Sequence, residues 1–364
     1  MTVAHKLPVL ICSAALALTT LPAARAQTGA ENPIIKRSID GYIRPTFDAL
    51  DKQTADMSKA MQNLCAKPGA ERLAVARAAF VETVSAWGKA EIVKLGPLSE
   101  DHRLERFLYW PDRKGIGLKQ VQAAITSDDK SFEDVASLKG KSVAVQGLGA
   151  LEFVLFGTDA DGLTTAAAAH RCLYGQAISA NLNSIAADAA AGWRAPDGFA
   201  RGWAYPAPAN AQYRNNEESL NDLLAIFVDG LDQARDVRIK AFLGETADGD
   251  KPKLAPFWRA NATLPLISGN LDGMKALFDA SDLGPLAKGE NAYISGSIDF
   301  EFANADRALK TAGAAPIADQ LADAKARGAL SYLRLVTSSL TDLFGVKLAG
   351  ALGLSAGFSS LDGD

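Results

Sequence analysis

Two glutamates in this chain of 364 residues lie on helical faces that are otherwise apolar. Glu91 follows Trp87 by four residues and Glu152 follows Leu148 by four, so each carboxylate shares a face with a large apolar side chain. A carboxylate on a buried face must be paired, hydrogen-bonded or bound to a ligand, because removing its water costs several kcal/mol. The pattern therefore predicts either functional acids or structural ion pairs with arginine, and both interpretations stay open.

Histidine gives only a weak signal for metal binding. His102 precedes Glu105 by three residues, a spacing that places both side chains on one face of a helix. His102 and His170 are the only histidines beyond the first 26 residues, so a histidine-rich site cannot be built. The His-Glu-x-x-His spacing of zinc peptidases is absent from the sequence. Exposed residues near a loop are the alternative interpretation of this pair.

Aromatic and charged residues are mixed at two places in the chain. The first contains Trp110, Asp112 and Arg113, and the second contains Trp258 and Arg259. Such mixtures line the mouths of ligand pockets, but they also cap helix ends, and an aspartate after proline is a common turn residue. We therefore expect Trp110, Asp112, Arg113 and Arg259 to contribute to a binding cleft.

A glycine-rich segment before Glu152 imitates a dinucleotide-binding fingerprint. Residues 142–145 are the best short strand candidate, and Gly147 and Gly149 follow them with the spacing of the first two fingerprint glycines. Glu152 occupies the third glycine position, where its carboxylate would oppose a pyrophosphate. No repeating strand–helix pattern surrounds the segment, so the nucleotide interpretation is rejected.

Helical periodicity dominates the rest of the chain. Apolar residues recur at steps of three and four in four segments, the third of them after a possible cap at Asn216; the segments are 73–91, 174–193, 220–234 and 330–343. Alanine is abundant throughout, which is typical of closely packed helices. The sequence therefore predicts an all-α fold.

The clearest boundary is the segment 194–212, which is rich in proline and glycine and lacks sustained periodicity. It predicts an N-terminal helical bundle over residues 27–200 and a C-terminal helical bundle over 213–364, packed together. A short repeat fits this division, because Glu152 and Glu301 each follow a glycine by five residues and precede phenylalanine. Glu301 is on that ground a further candidate site residue.

The first residues predict export. Residues 7–21 are apolar and uncharged, and Ala24 and Ala26 form the small-x-small pattern of a signal peptidase site, so we expect a signal peptide over 1–26 with cleavage after Ala26. Cys12 lies inside the apolar stretch without small residues before it, which disfavours a lipoprotein. No later segment reaches the roughly 18 apolar residues of a membrane helix, so the mature chain is expected to lack a transmembrane span.

The charge and the cysteine content restrict the possible partners and the cellular compartment. The formal net charge is −4 with no basic run, which argues against nucleic acid as a partner. Cys65 and Cys172 remain after removal of the leader. In an oxidising compartment they predict one disulfide that joins two distant helices, the alternative being two buried free thiols.

The order of these segments resembles the imelysin-like family of periplasmic or outer-membrane-associated bacterial proteins. The likeness spans nearly the whole mature chain, and the matching segments are 87–91 with Gly96-Pro97, 109–113, 146–153, Arg171-Cys172 opening a long helix that ends in Trp193, 300–302 and the terminal 357–364. The resemblance implies two helical bundles with a site at their interface, a metallopeptidase activity and a link to iron uptake. It also implies a Gly-x-His-x-x-Glu motif, in which Gly147 and Glu152 match but Gly149 replaces the histidine.

Three function hypotheses follow from the residues and the resemblance. The first is a non-catalytic module, free in the periplasm or peripheral to the outer membrane, that binds a small ligand, metal species or partner between the bundles. The second is an accessory protein of envelope iron uptake. The third is a metallopeptidase in which Glu91 or Glu301 completes the shell of Glu152, and in which His102 replaces the missing motif histidine. The cofactor is not identified by the sequence, and a divalent metal or iron is the candidate. The expected ligand-binding set is Glu152, Gly147, Gly149, Trp110, Asp112, Arg113, Glu91, Arg259 and Glu301, with Glu152 and His102 as the metal ligands.

Overall fold

The computed structural model describes residues 1–2, 29–112 and 114–354, and these ranges contain helices and no β-strand. The all-α prediction is confirmed. Residues 3–26 of the predicted signal peptide, with its cleavage site, lie outside the described residues, as do Arg113 and the terminal segment 357–364. The α-helices are α1 (Pro33–Ser38), α2 (Arg44–Ala66), α3 (Ala70–Ala90), α4 (Arg103–Phe107), α5 (Ile116–Thr126), α6 (Val135–Lys139), α7 (Leu148–Phe156), α8 (Ala169–Arg194), α9 (Phe199–Ala204), α10 (Asn216–Asp232), α11 (Lys240–Phe242), α12 (Thr263–Ser281), α13 (Tyr293–Ala312), α14 (Ile317–Ala322), α15 (Ala324–Asp342) and α16 (Ala349–Ala351).

Other helical turns connect these elements. Wider π-helical turns join α1 to α2, α10 to α11 and α15 to α16; they are Ile39–Ile43, Gln233–Ile239 and Leu343–Leu348. None of the described helices has the length and hydropathy needed to span a bilayer. Tighter 3₁₀ turns occupy Gly96–His102, Lys130–Phe132, Val143–Val145, Ala160–Thr164, Ala166–Ala168, Ala247–Gly249, Pro252–Leu254, Gly284–Leu286 and Gly289–Asn291.

The four segments with predicted helical periodicity correspond to α3, to α8, to α10 with the turn after it, and to α15. Their apolar residues are buried, except that Leu220 is half-buried. The start of α10 differs by one position from the prediction, because Asn215 and not Asn216 is the N-cap. The Asn215 side chain accepts a hydrogen bond from the Glu218 N–H at 2.9 Å, which satisfies a donor at the exposed helix start.

In the N-terminal half (α1–α8), helix α2 packs between α3 and α8. Cys65 on α2 and Cys172 on α8 form a disulfide with an S–S distance of 2.02 Å. The predicted disulfide is confirmed, and it joins two helices that are far apart in the sequence.

The N-terminal half and the C-terminal half (α10–α16) meet along a boundary that we call the seam. Helix α1 packs against α12 there, and helices α3 and α12 form its most extensive contact. Glycine makes this contact close: a Cβ on Gly88 would lie 2.6 Å from the Leu266 carbonyl oxygen, and one on Gly269 would lie 2.6 Å from the Ser85 carbonyl oxygen. The two backbones therefore touch where any side chain would separate them. Buried apolar residues of both halves form one continuous core across the seam, and the division into domains at 200 and 213 stays a prediction.

Two segments differ from their predicted secondary structure. Residues 142–145 were expected as a strand, but they contain the 3₁₀ turn Val143–Val145, whose amides are closed locally by the Ser142 side chain and backbone. The predicted linker contains α9, and Trp203 on this helix is fully buried beside Trp193. The Trp203 indole N–H donates to the Ser219 carbonyl oxygen at 3.0 Å, so the segment packs into the core.

Candidate functional site

Glu152 lies on α7, and its side chain contacts the C-terminal half. Its side chain is buried, with 6 % of the residue exposed. Oε1 accepts hydrogen bonds from the backbone N–H groups of Arg259 at 2.9 Å and Ala260 at 3.3 Å. Oε2 lies 3.8 Å from the Arg259 guanidinium. Glu152 therefore has an arginine as its charged partner, and its functional role stays a prediction.

Contacts hold both ends of α7 in place, and those at its start explain why residue 147 is glycine. A Cβ on Gly147 would lie 2.5 Å from the Phe107 carbonyl oxygen, so the chain can approach α4 this closely only at glycine. At the other end, the buried Arg171 guanidinium donates to the carbonyl oxygens of Phe153 at 2.6 Å and Val154 at 2.9 Å. Gly147 thus sets the position of the helix that carries Glu152.

Burial raises the pKa of Glu152 to about 7, since the Arg259 charge and the two backbone hydrogen bonds offset only part of the cost of desolvation. The folded pKa lies above the ordinary glutamate value of 4.5. At a pH between these two pKa values, Glu152 is therefore protonated in the folded protein and ionised in the unfolded chain.

Stability is expected to fall as the pH rises from about 4.5 to about 7 through this group. The integrated loss is about 3 kcal/mol, because each unit of pKa shift corresponds to roughly 1.4 kcal/mol. Urea unfolding at pH 5 and pH 8 measures it, with Glu152→Gln as the variant that cannot titrate. The wild type should lose more stability than Glu152→Gln between the two values; equal losses would contradict the prediction.

The predicted metal ligands do not form a metal site in the described part of the chain. Gly149 is exposed, with open space where a side chain would begin, and it supplies no ligand atom. His102 is exposed at the start of α4 with a left-handed backbone, φ 54°. Within residues 29–112 and 114–354 no group of three or more histidine, cysteine, aspartate or glutamate side chains could hold a metal ion. The donors at Glu152, an oxygen already bound by amides and an adjacent guanidinium, do not fit a metal, and the metal role of Glu152 and His102 stays a prediction.

Glu91 forms a second buried ion pair at the seam. Its Oε2 accepts from the Arg238 guanidinium at 2.7 Å, and its Oε1 accepts from the Asn270 side chain at 2.9 Å. Asn270 also donates to the Gly88 carbonyl oxygen at 2.7 Å. Arg238 is 2 % exposed, and burial lowers its pKa against the effect of Glu91. Glu91 therefore also has a buried arginine partner, and its place in a ligand site stays a prediction.

A cleft opens between the two halves next to the π-helical turn Gln233–Ile239. Its volume is about 320 Å³. Trp110, Pro111 and Asp112 line it from the N-terminal half, and Asp236, Val237, Lys240, Ala241 and Leu254 line it from the C-terminal half. Two predicted site residues, Trp110 and Asp112, are thus brought together with partners that the sequence did not indicate.

The charged side chains of the cleft have partners of their own. Oδ2 of Asp112 accepts from the Leu118 N–H at 3.0 Å at the start of α5. Asp236 is paired with Arg235 at 2.5 Å and with Lys240. Trp110 and the aliphatic residues therefore supply the free surface of the cleft, and its charges are already held in place.

The remaining predicted residues lie at separate positions. Glu301 accepts from Ser339 at 2.8 Å and from Asn304 at 3.0 Å, both within the C-terminal half. The Arg259 guanidinium stacks on Trp258, 4.4 Å from the ring centroid. The structure joins Arg259 to Glu152 and places Glu91 and Glu301 in polar contacts of their own. Asn270 and Arg238 escaped sequence analysis, because neither belongs to a motif.

Comparisons with known proteins identify the family. The imelysin family model, peptidase M75, matches residues 43–341, and no curated protein matches the chain. An imelysin-like protein from Psychrobacter arcticum is 19 % identical over 91 % of this chain and 99 % of its own, with a TM-score of 0.74. An iron-regulated protein A precursor from Parabacteroides distasonis is 15 % identical over 88 % and 98 %, with a TM-score of 0.61. These identities support the fold alone, but the family model covers most of the sequence, and the chain belongs to the imelysin family.

Proposed function

We propose that this chain is an exported binding module of the cell envelope, linked to iron uptake, that holds a small ligand or metal species in the cleft without catalysing a reaction. The observation that carries the proposal is the cleft itself, because residues of both halves line it and Trp110 and Asp112 are among them. Clefts of this size between packed units are the usual place for small-molecule sites. The leader predicted over residues 1–26 supports the periplasm as the compartment.

The lining indicates what the ligand needs. Trp110, Val237 and Leu254 present apolar surface, while Asp112 and Lys240 stand beside it. This arrangement suits a small molecule or complex with an apolar body and a polar edge. The π-helical turn of the wall supports the assignment, because such turns are frequent at functional sites.

Binding is favoured over catalysis by the state of the motif residues. One Glu152 oxygen accepts hydrogen bonds from two amides, the other lies beside the Arg259 guanidinium, and Gly149 carries no imidazole. The link to iron uptake draws support from the Parabacteroides structure, whose name describes an iron-regulated protein. Envelope iron-uptake proteins are accordingly the proposed partners.

Filling the cleft is expected to weaken ligand binding. Ala241→Trp places an indole among the lining residues, whereas Ala55→Trp on the exposed face of α2 is the matched control. Mature protein of each variant, purified from the periplasm, is examined by native mass spectrometry and elemental analysis. Titration calorimetry follows with iron, zinc, calcium and copper salts. The affinity for the species found should fall at least about tenfold in Ala241→Trp only, which corresponds to ~1.4 kcal/mol. Equal binding by both variants would place the site elsewhere.

A metallopeptidase is the second candidate, and the raised pKa of Glu152 is the observation that favours it. A value of about 7 suits a general base at neutral pH. The test is incubation of the mature chain with zinc and an unfolded protein substrate. Cleavage that disappears in Glu152→Gln would replace the binding proposal with this one.

A further inference from the structure

The loop 256–262, which precedes α12, presents two neighbouring N–H groups to one point. Phe257 and Asn261 have left-handed backbones, with φ of 56° and 53°. The Ala262 N–H donates to the Phe257 carbonyl oxygen at 3.0 Å and closes the loop. Between these residues, the N–H groups of Arg259 and Ala260 both point to the same oxygen of Glu152. Consecutive amides turned to one side form a concave site that binds anions.

The Arg259 side chain adds a positive charge to the same site. Its guanidinium is 3.8 Å from the second carboxylate oxygen. The rings of Trp258 and Phe153 lie 4.4 Å and 5.4 Å from it and restrict its position. One carboxylate oxygen thus receives two amide hydrogen bonds, and the other lies beside a positive charge that is held in place.

We propose that the loop 256–262 and Arg259 form a carboxylate receptor, and that the side chain of Glu152 is its internal occupant. The receptor thereby ties α7 of the N-terminal half to the loop that leads into α12. Glu152 thus acts as a positioning residue at this site. The proposal does not depend on which ligand the cleft takes, since none of the receptor residues lines the cleft.

Chemical rescue tests the receptor directly. Glu152→Ala removes the occupant and leaves the two amides and Arg259 without a carboxylate, so the melting temperature should fall. Formate should then restore stability in a saturable manner at pH 8, where Glu152 of the wild type is ionised. The gain should be about 3 °C at ten times the dissociation constant of formate, whereas sodium chloride at equal ionic strength should give none. Hydrogen exchange at the Arg259 and Ala260 amides should be slow in the wild type, fast in Glu152→Ala and slow again with formate.

Controls separate the receptor from a general salt effect. The double variant Glu152→Ala/Arg259→Gln should gain at most a small part of the rescue, and the wild type should gain none because its site is filled. If Glu152→Ala does not fold in chloride, recovery of folded protein on dilution into formate is the readout. The proposal is overturned if formate acts equally on wild type and variant, or if the two amides exchange at the same rate in both.

Discussion

Replacing Glu91 by alanine is expected to destabilise the protein by about 3–5 kcal/mol, the cost of removing one partner of a buried ion pair. Arg238 has Glu91 as its carboxylate partner and is 2 % exposed, so the variant would leave a guanidinium in the core without an anion. Two further nitrogens of Arg238, Nε and Nη1, already lack a hydrogen-bond partner in the described part of the chain. The loss should appear as a lower free energy of unfolding in urea, followed by circular dichroism.

The double variant Glu91→Leu/Arg238→Met is the control for this prediction. Apolar residues of similar volume remove both charges together, so most of the loss should be recovered. The size of the recovery measures the penalty of the unpaired charge as distinct from the loss of packing. A single variant that loses less than about 1 kcal/mol would mean that water reaches Arg238 in solution.

The helices of this protein could be predicted because their cause is local. Buried apolar residues at steps of three and four identified α3, α8, α10 and α15 from the sequence. Helix α9 was missed because six residues are too few for such a repeat to be recognised. The π-helical turns were missed because the apolar periodicity changes little across one wider turn.

The candidate site could be predicted only in part, because its contacts join residues far apart in the chain. Glu91 and Arg238 are 147 positions apart, and Glu152 and the Arg259 amide are 107 apart. The sequence indicated that both glutamates needed partners, but it contained no local pattern to choose those partners. Gly147, assigned from the sequence to a binding motif, also has a packing reason to be glycine, because a Cβ there would meet the Phe107 carbonyl oxygen. Its role in binding stays a prediction.

The same long-range contacts explain why the cleft has a defined shape. The close glycine contact between α3 and α12 holds the two halves together. The ion pairs Glu91–Arg238 and Glu152–Arg259 join them at two further points. Hinge opening of the two halves would expose two buried ion pairs and part of a continuous core. We therefore expect the cleft walls to be preformed, with ligand entry requiring side-chain movement only.

Removing the disulfide is expected to lower the free energy of unfolding by about 4 kcal/mol. Cys65 and Cys172 close a loop with a sequence separation of 107, and opening this loop raises the conformational entropy of the unfolded chain. Cys65→Ala, Cys172→Ala and the double variant all lose the same bond, so their urea midpoints should be similar and their losses should not add. The wild type in dithiothreitol should unfold with the same midpoint as the double variant, which controls for the small change in packing. An unchanged midpoint on complete reduction would contradict the prediction, since it would mean that residual structure in the unfolded chain restricts it as much as the covalent bond does.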